Sequence, residues 1–165
     1  MDSAPDLNSH IIISSKIQIK TFRFNFRGVG GSEGRYDEGV GERNDVKAAV
    51  SCLARMGIRR IDLAGYSFGA WVNARAGCTQ IDRMVMISPP VAFIDFGGIG
   101  SLPCLKLVVA GDRDLFAPVD RVRESIRSLN AAARFEVIEG ADHFYGQHAS
   151  RLESVLLEML SNEFP

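Results

Sequence analysis

Apolar and polar positions along this 165-residue chain follow two periods, and the pattern switches between them at short intervals. Phe22, Phe24 and Phe26 alternate with Arg23 and Asn25, which predicts a strand running into the glycine-rich loop 28–41. Val46, Ala49, Val50, Leu53 and Met56 then recur at helical spacing, with Asn44 placed to cap the helix and Gly57 to stop it. Residues 61–64 read as a short strand, and the small, alanine-rich, proline-free stretch 68–76 as a helix directly behind it. Met84, Val85, Met86 and Ile87 predict a buried strand ended by Pro89 and Pro90. The nearly continuous apolar run 105–110 has the character of a central parallel strand. Pro118 opens a helix that turns Val119, Val122, Ile126 and Leu129 inward. Phe135, Val137 and Ile138 mark a last strand, and Leu152, Val155, Leu156, Met159 and Leu160 the apolar stripe of a last helix. Strands and helices in this alternation imply an α/β fold. The sheet should be mostly parallel, with helices on both faces and binding sites at the carboxyl ends of the strands.

The strand end at residue 64 leads into Gly65-Tyr66-Ser67-Phe68-Gly69, a serine with glycine two positions away on either side. In a tight strand-to-helix turn, flanking side chains would collide across the turn, so the glycines let the serine adopt a strained backbone and present its hydroxyl. Ser67 is therefore a candidate nucleophile. A serine hydroxyl attacks at neutral pH only if a histidine takes its proton and a carboxylate orients that histidine. His143 follows the last predicted strand. Asp114 follows the apolar run 105–110, with Asp112 as the competing acid. The order serine, aspartate, histidine suits a doubly wound sheet. Asp112 and Asp142 also have a simpler reading as turn residues bonding nearby amides.

With Phe24-Asn25-Phe26-Arg27-Gly28-Val29-Gly30, Ser32, Gly34, the serine turn, Ser88-Pro89-Pro90, Gly111 to Asp114 with Pro118, and Gly140 to Phe144 in place, the chain resembles the α/β-hydrolases. Within that superfamily it is similar to small bacterial dienelactone-hydrolase-like predicted hydrolases. The resemblance runs over 22–160 of one domain spanning 1–165, with 1–21 as an atypical beginning. It implies Ser67 as nucleophile, Asp114 as acid and His143 as base. Asp114 is preferred over Asp112 because the family's acid lies three residues beyond the glycine and four before a proline, as Asp114 does between Gly111 and Pro118. The backbone amide of Phe68 is one expected oxyanion donor. Tyr66, Phe93 and Phe96 are the candidate substrate contacts, the two phenylalanines lying in the connection between Pro89 and Pro103. The expected activity is hydrolysis of a small ester or thioester through an acyl-enzyme, without a cofactor.

The family pattern is also broken. Only 21 residues precede Phe22 and none is glycine, so the usual N-terminal strands and the loop donating a second oxyanion amide are absent or replaced. Loss of one such donor costs roughly 2.7–4 kcal/mol of transition-state stabilisation. A non-catalytic or truncated relative with an incomplete oxyanion hole is thus the alternative, and an acyltransferase or peptidase on the same scaffold a further one. Residues 11–20 either add a strand that covers the sheet edge or leave it open to a homodimer.

Composition narrows the partners. Nineteen basic against twenty acidic residues leave a net charge of −1, without the basic patch that nucleic acid requires. Ile11-Ile12-Ile13 is too short for a signal core or a membrane span. The position expected for the third glycine of a dinucleotide fingerprint is Glu33, and His143 and His148 lack the spacing and glutamate of a zinc helix. Cys52, Cys78 and Cys104 are odd in number and widely spaced, which suits reduced thiols and a cytoplasmic protein.

Overall fold

In a computed structural model, which describes residues 20–161, eight elements carry this alternation. They are α1 (Val40–Arg55), β1 (Asp62–Tyr66), α2 (Phe68–Ala76), β2 (Arg83–Ile87), β3 (Leu105–Gly111), α3 (Val119–Asn130), β4 (Arg134–Ile138) and α4 (Ala149–Ser161). The strands form one parallel sheet in the order β1-β2-β3-β4. Parallel pairing puts all four carboxyl ends on one rim, where Tyr66, Ile87, Gly111 and Ile138 hand the chain to the loops that follow.

Side-chain alternation on the strands divides the core in two. On one face, Met84, Met86, Leu105, Val108 and Ala110 pack with Val46 and Val50 of α1, Ala70 and Val72 of α2, and Val122, Ile126 and Leu129 of α3. On the other, Val85, Leu107, Val109 and Ile138 pack with Val155 and Met159 of α4. A fully buried Leu or Val contributes about 1.5–3 kcal/mol, so β3, whose apolar side chains enter both clusters, dominates the sheet's stability. Arg83 on β2 stitches the layers. Its guanidinium is paired with Asp62 of β1 and donates from Nη1 to the Met159 carbonyl of α4 at 3.0 Å. Among the described residues, no helix is long and apolar enough to cross a membrane.

Four expectations need correction. Residues 22–26 form no strand. Their alternating phenylalanines instead pack on one another, with ring centroids 6.1 and 5.6 Å apart, and Phe26 meets the Phe68 ring at 6.0 Å. Period-two alternation reports side-chain sidedness in an extended segment, and an extended segment need not join a ladder.

Helix α1 begins at Val40, ahead of the predicted Asn44 cap, because Gly39 takes a left-handed N-cap conformation and Glu42 reaches back to the Asp37 and Gly39 amides at 2.8 Å. The same helix leaves Met56, its expected last inward residue, exposed as the C-cap.

The cysteines are not all reduced: Cys78, just after α2, is joined to Cys104, just before β3, and only Cys52 is free among them. Spacing along the chain hid this, since the fold brings two residues 26 apart to a Cα–Cα distance of 5.6 Å, within bridging range. The thiols therefore give no argument for a reducing compartment. The segment 11–19, expected either to cover or to leave open the sheet edge, lies outside the described residues.

Candidate active site

Ser67 sits where β1 becomes α2, with φ 52° and ψ −120°, a conformation an L-residue holds only under constraint. The constraint is visible in its neighbours. The Ser67 amide donates to the Ile87 carbonyl at the end of β2, and the Ser67 carbonyl accepts from Ala70 in the first turn of α2. A Cβ on Gly65 would lie 2.6 Å from the Gly69 backbone and 2.5 Å from the Asn73 amide nitrogen. A Cβ on Gly69 would meet nothing within 4 Å. The turn thus needs glycine at one flank only, where both were expected to need it.

The loop after β3 places the carboxylate. Asp114 is 3% exposed, and its Oδ1 accepts from the Phe116 and Ala117 amides, each at 2.9 Å. Its carboxylate also faces the His143 ring, with Oδ1 and Oδ2 3.0 and 2.9 Å from Nδ1. The opposite ring nitrogen, Nε2, is 2.9 Å from Ser67 Oγ. With Nδ1–H donating to Asp114, Nε2 is left with a lone pair, and the serine hydroxyl is its donor. Side chains from β1, β3 and β4 ends therefore converge as hydroxyl, imidazole and carboxylate. Asp112 is not part of this chain of bonds: its Oδ1 accepts from the Gly140 amide at 2.7 Å, and Asp142 accepts from the Phe144 and Tyr145 amides. Asp142 is the local turn residue that its type suggested, whereas Asp112 reaches across to the loop after β4.

The histidine loop is tied down at several further points. Gly111 lets it approach β3, since a Cβ there would stand 2.1 Å from the Ala141 carbonyl oxygen. The Tyr66 hydroxyl donates to the His143 carbonyl at 2.8 Å, and its ring lies 5.2 Å from the imidazole. Beneath the loop, the buried Tyr145 hydroxyl pairs with Ser88 Oγ at 2.8 Å. Burial pushes the Tyr145 phenol up to about 12, against the opposing effect of the Ser88 bond, so it stays neutral.

An apolar collar surrounds the imidazole. Phe116 lies 4.5 Å from it, Phe144 meets it edge-on at 5.5 Å, and Phe93 packs on Phe116 at 5.0 Å. Phe93, Leu115 and Phe144 are 70%, 80% and 75% exposed. Phe96, expected beside Phe93 as a substrate contact, is instead 9% exposed in the core cluster below α2. The rings that do lie against the imidazole, Phe116 and Phe144, are ones that sequence reasoning missed. The available signal was apolar residues inside the two loops that carry Asp114 and His143, where polar residues are usual. Phe68 is the first residue of α2, and its amide is among the first-turn amides that have no acceptor within the helix. The segment ahead of residue 20, where a second donor was looked for, is outside the described residues. A cavity of about 340 Å³ bounded by Arg43, Trp71, Arg75, Asp95 and Leu102 includes none of Ser67, Asp114 or His143.

No family model matches the chain. An α/β serine hydrolase homologue from Coxiella burnetii superposes with a TM-score of 0.80 at 36% identity, over 87% of this chain and 70% of that one. A serine hydrolase without a lid from Xanthomonas campestris gives a TM-score of 0.77 at 30% identity, over 86% of this chain and 65% of its own. An uncharacterized protein of Rickettsia prowazekii is 35% identical in an alignment 135 residues long that covers 74% of this chain and 57% of that protein. The chain thus spans little more than half the length of this curated relative.

Proposed function

Because the chain belongs to the α/β-hydrolase superfamily, we propose that it is a serine hydrolase that cleaves a small carboxylic ester or thioester through an acyl-enzyme on Ser67. The observation that carries this reading is the continuous bond path from Ser67 Oγ through the His143 ring to the Asp114 carboxylate. Nε2 takes the hydroxyl proton as Oγ attacks the carbonyl carbon, and the imidazolium so formed stays paired with Asp114. The Phe68 amide, at the positive end of the α2 dipole, donates to the developing oxyanion. The imidazolium then protonates the leaving alkoxide or thiolate, and water resolves the acyl-enzyme by the same proton path. Substrate class follows from the collar: Phe93, Phe116 and Phe144 present exposed apolar surface at the base, which favours an apolar acyl or aryl group over a charged one.

Labelling with an alkyl fluorophosphonate tests the reading. The wild-type chain should be labelled at one site and Ser67→Ala should not, and equal labelling of the two would end it. A panel of ester, thioester and amide substrates then sets the leaving group, with the esters of short apolar acids expected to turn over fastest.

A further inference from the structure

We propose that Tyr66, the residue before the nucleophile, is a positioning residue whose hydroxyl holds the His143 backbone in place during the half of the reaction in which Ser67 no longer can. The inference rests on the hydrolase reading above. Tyr66 and Ser67 are adjacent on the elbow, whereas His143 arrives on a loop 77 residues further along from Tyr66. β1 and β4 stand at opposite ends of the strand order and do not pair. Two bonds link the elbow to the imidazole residue: Ser67 Oγ to Nε2, and the Tyr66 hydroxyl to the His143 carbonyl.

Those two bonds have different fates in the catalytic cycle. In the free enzyme both exist. During acylation the Oγ–carbonyl bond forms, Nε2 takes the serine proton, and the leaving group departs with that proton. The product is an ester in which Oγ has no proton to give, so the first link is reduced to an oxygen with no hydrogen to donate to a neutral Nε2. Deacylation now needs Nε2 at hydrogen-bond distance from an incoming water. It must take one proton from that water as the new C–O bond forms, then return it to Oγ as the ester bond breaks, releasing the carboxylic acid. Throughout this half-reaction Asp114 still holds Nδ1, and the Tyr66 hydroxyl still holds the main chain of the same residue. Burial, followed by the Asp114 and Asp142 carboxylates, raises the Tyr66 phenol above its ordinary value, so the donor is retained through neutral and mildly alkaline pH. The ring, 43% exposed, also lies along the imidazole and limits its swing.

The test is a pre-steady-state comparison of wild type with Tyr66→Phe, using p-nitrophenyl acetate. Loss of one neutral hydrogen bond, converted to a rate, predicts deacylation slowed by about three- to tenfold. Acylation, measured by the burst rate and by fluorophosphonate labelling, should change by less than about twofold. The burst amplitude should rise toward one per enzyme, and kcat and KM should fall together with kcat/KM nearly constant. Tyr145→Phe serves as the reference for loosening alone, because it removes a buried bond of the same loop without touching the imidazole residue. It should lower Tm and leave the ratio of acylation to deacylation unchanged. Equal slowing of both half-reactions in Tyr66→Phe, or no change in either with labelling intact, would overturn the assignment of Tyr66. Absence of Ser67-dependent labelling in the wild type would overturn the hydrolase reading, and this inference with it.

Discussion

Strands β1 and β3 deliver two members of the same site from opposite circumstances. β3 is buried almost throughout, is paired on both sides and contributes to the core on both faces of the sheet. β1 stands at the end of the strand order, and Asp62, Ala64 and Tyr66 along it are exposed. Asp114 is therefore set by bulk packing, in which many weak contacts share the task. Ser67 is set by a few local devices: a glycine that admits the returning helix, an amide bonded to Ile87, and the Asp62 pairing with Arg83. Packing tolerates gradual loss, and steric devices do not.

The largest expected effect is on chemistry, where the two supports should cease to matter. Ser67→Ala should abolish fluorophosphonate labelling, and Asp114→Asn should slow turnover of an activated ester by about 10⁴, because the imidazole would be held in the wrong tautomer. A next test sets interior against edge. Leu105→Ala on β3 should cost about 2–5 kcal/mol in urea unfolding. Ala64→Ser on β1 should stay within about 0.5 kcal/mol, and similar costs at the two positions would break the comparison.

Smaller still is the contrast inside the turn. Gly65→Ala should cost about 1–3 kcal/mol and slow labelling as well, because its methyl meets the Gly69 backbone. Gly69→Ala, in open space on a helix, should be neutral or gain up to about 1 kcal/mol.

The smallest effect concerns pH. Burial works to raise the Glu42 carboxyl, but the Asp37 and Gly39 amides outweigh it and hold the group below the usual carboxylate range. Asp45 is likewise lowered, burial opposing the stronger pull of Arg27. A carboxylate depressed on folding adds stability above its unfolded pKa and loses it as pH falls through the folded one, so Tm should drop from about pH 4 downward. Glu42→Gln should lower Tm at neutral pH by an amount equivalent to about 1 kcal/mol and flatten the acid limb, as followed by calorimetry.

Most of the chain after residue 57 was legible because apolar runs end near residues of limited options: Gly111 closes β3, Pro118 caps α3 and Pro89 follows β2 closely, although β1 runs through Gly65 to Tyr66. The serine, aspartate and histidine were legible for the same reason, as each follows a strand. What was hidden depended on contacts between distant parts. The phenylalanines at 22, 24 and 26 carry a strand's alternation, yet whether such a segment joins a sheet depends on a neighbour that alternation does not reveal. The start of α1 was misplaced because its N-cap is a left-handed glycine secured by a side chain three residues on, and Asn44 offered a more familiar signal. Phe96 and Phe116 illustrate the limit for the site. Both are aromatic residues in connections at the same rim, and only the course of the chain separates the one beneath α2 from the one against the imidazole.

The bond between Cys78 and Cys104 has a practical consequence. It fastens the tail of the nucleophile's helix to the start of the strand that dominates the core. By shrinking the freedom of the denatured chain it supplies roughly 3–4 kcal/mol for a loop of this size. Dithiothreitol in a storage buffer would remove that share. An assay comparing reduced and unreduced samples would then register how much of the protein remains folded, with each surviving molecule turning over as before.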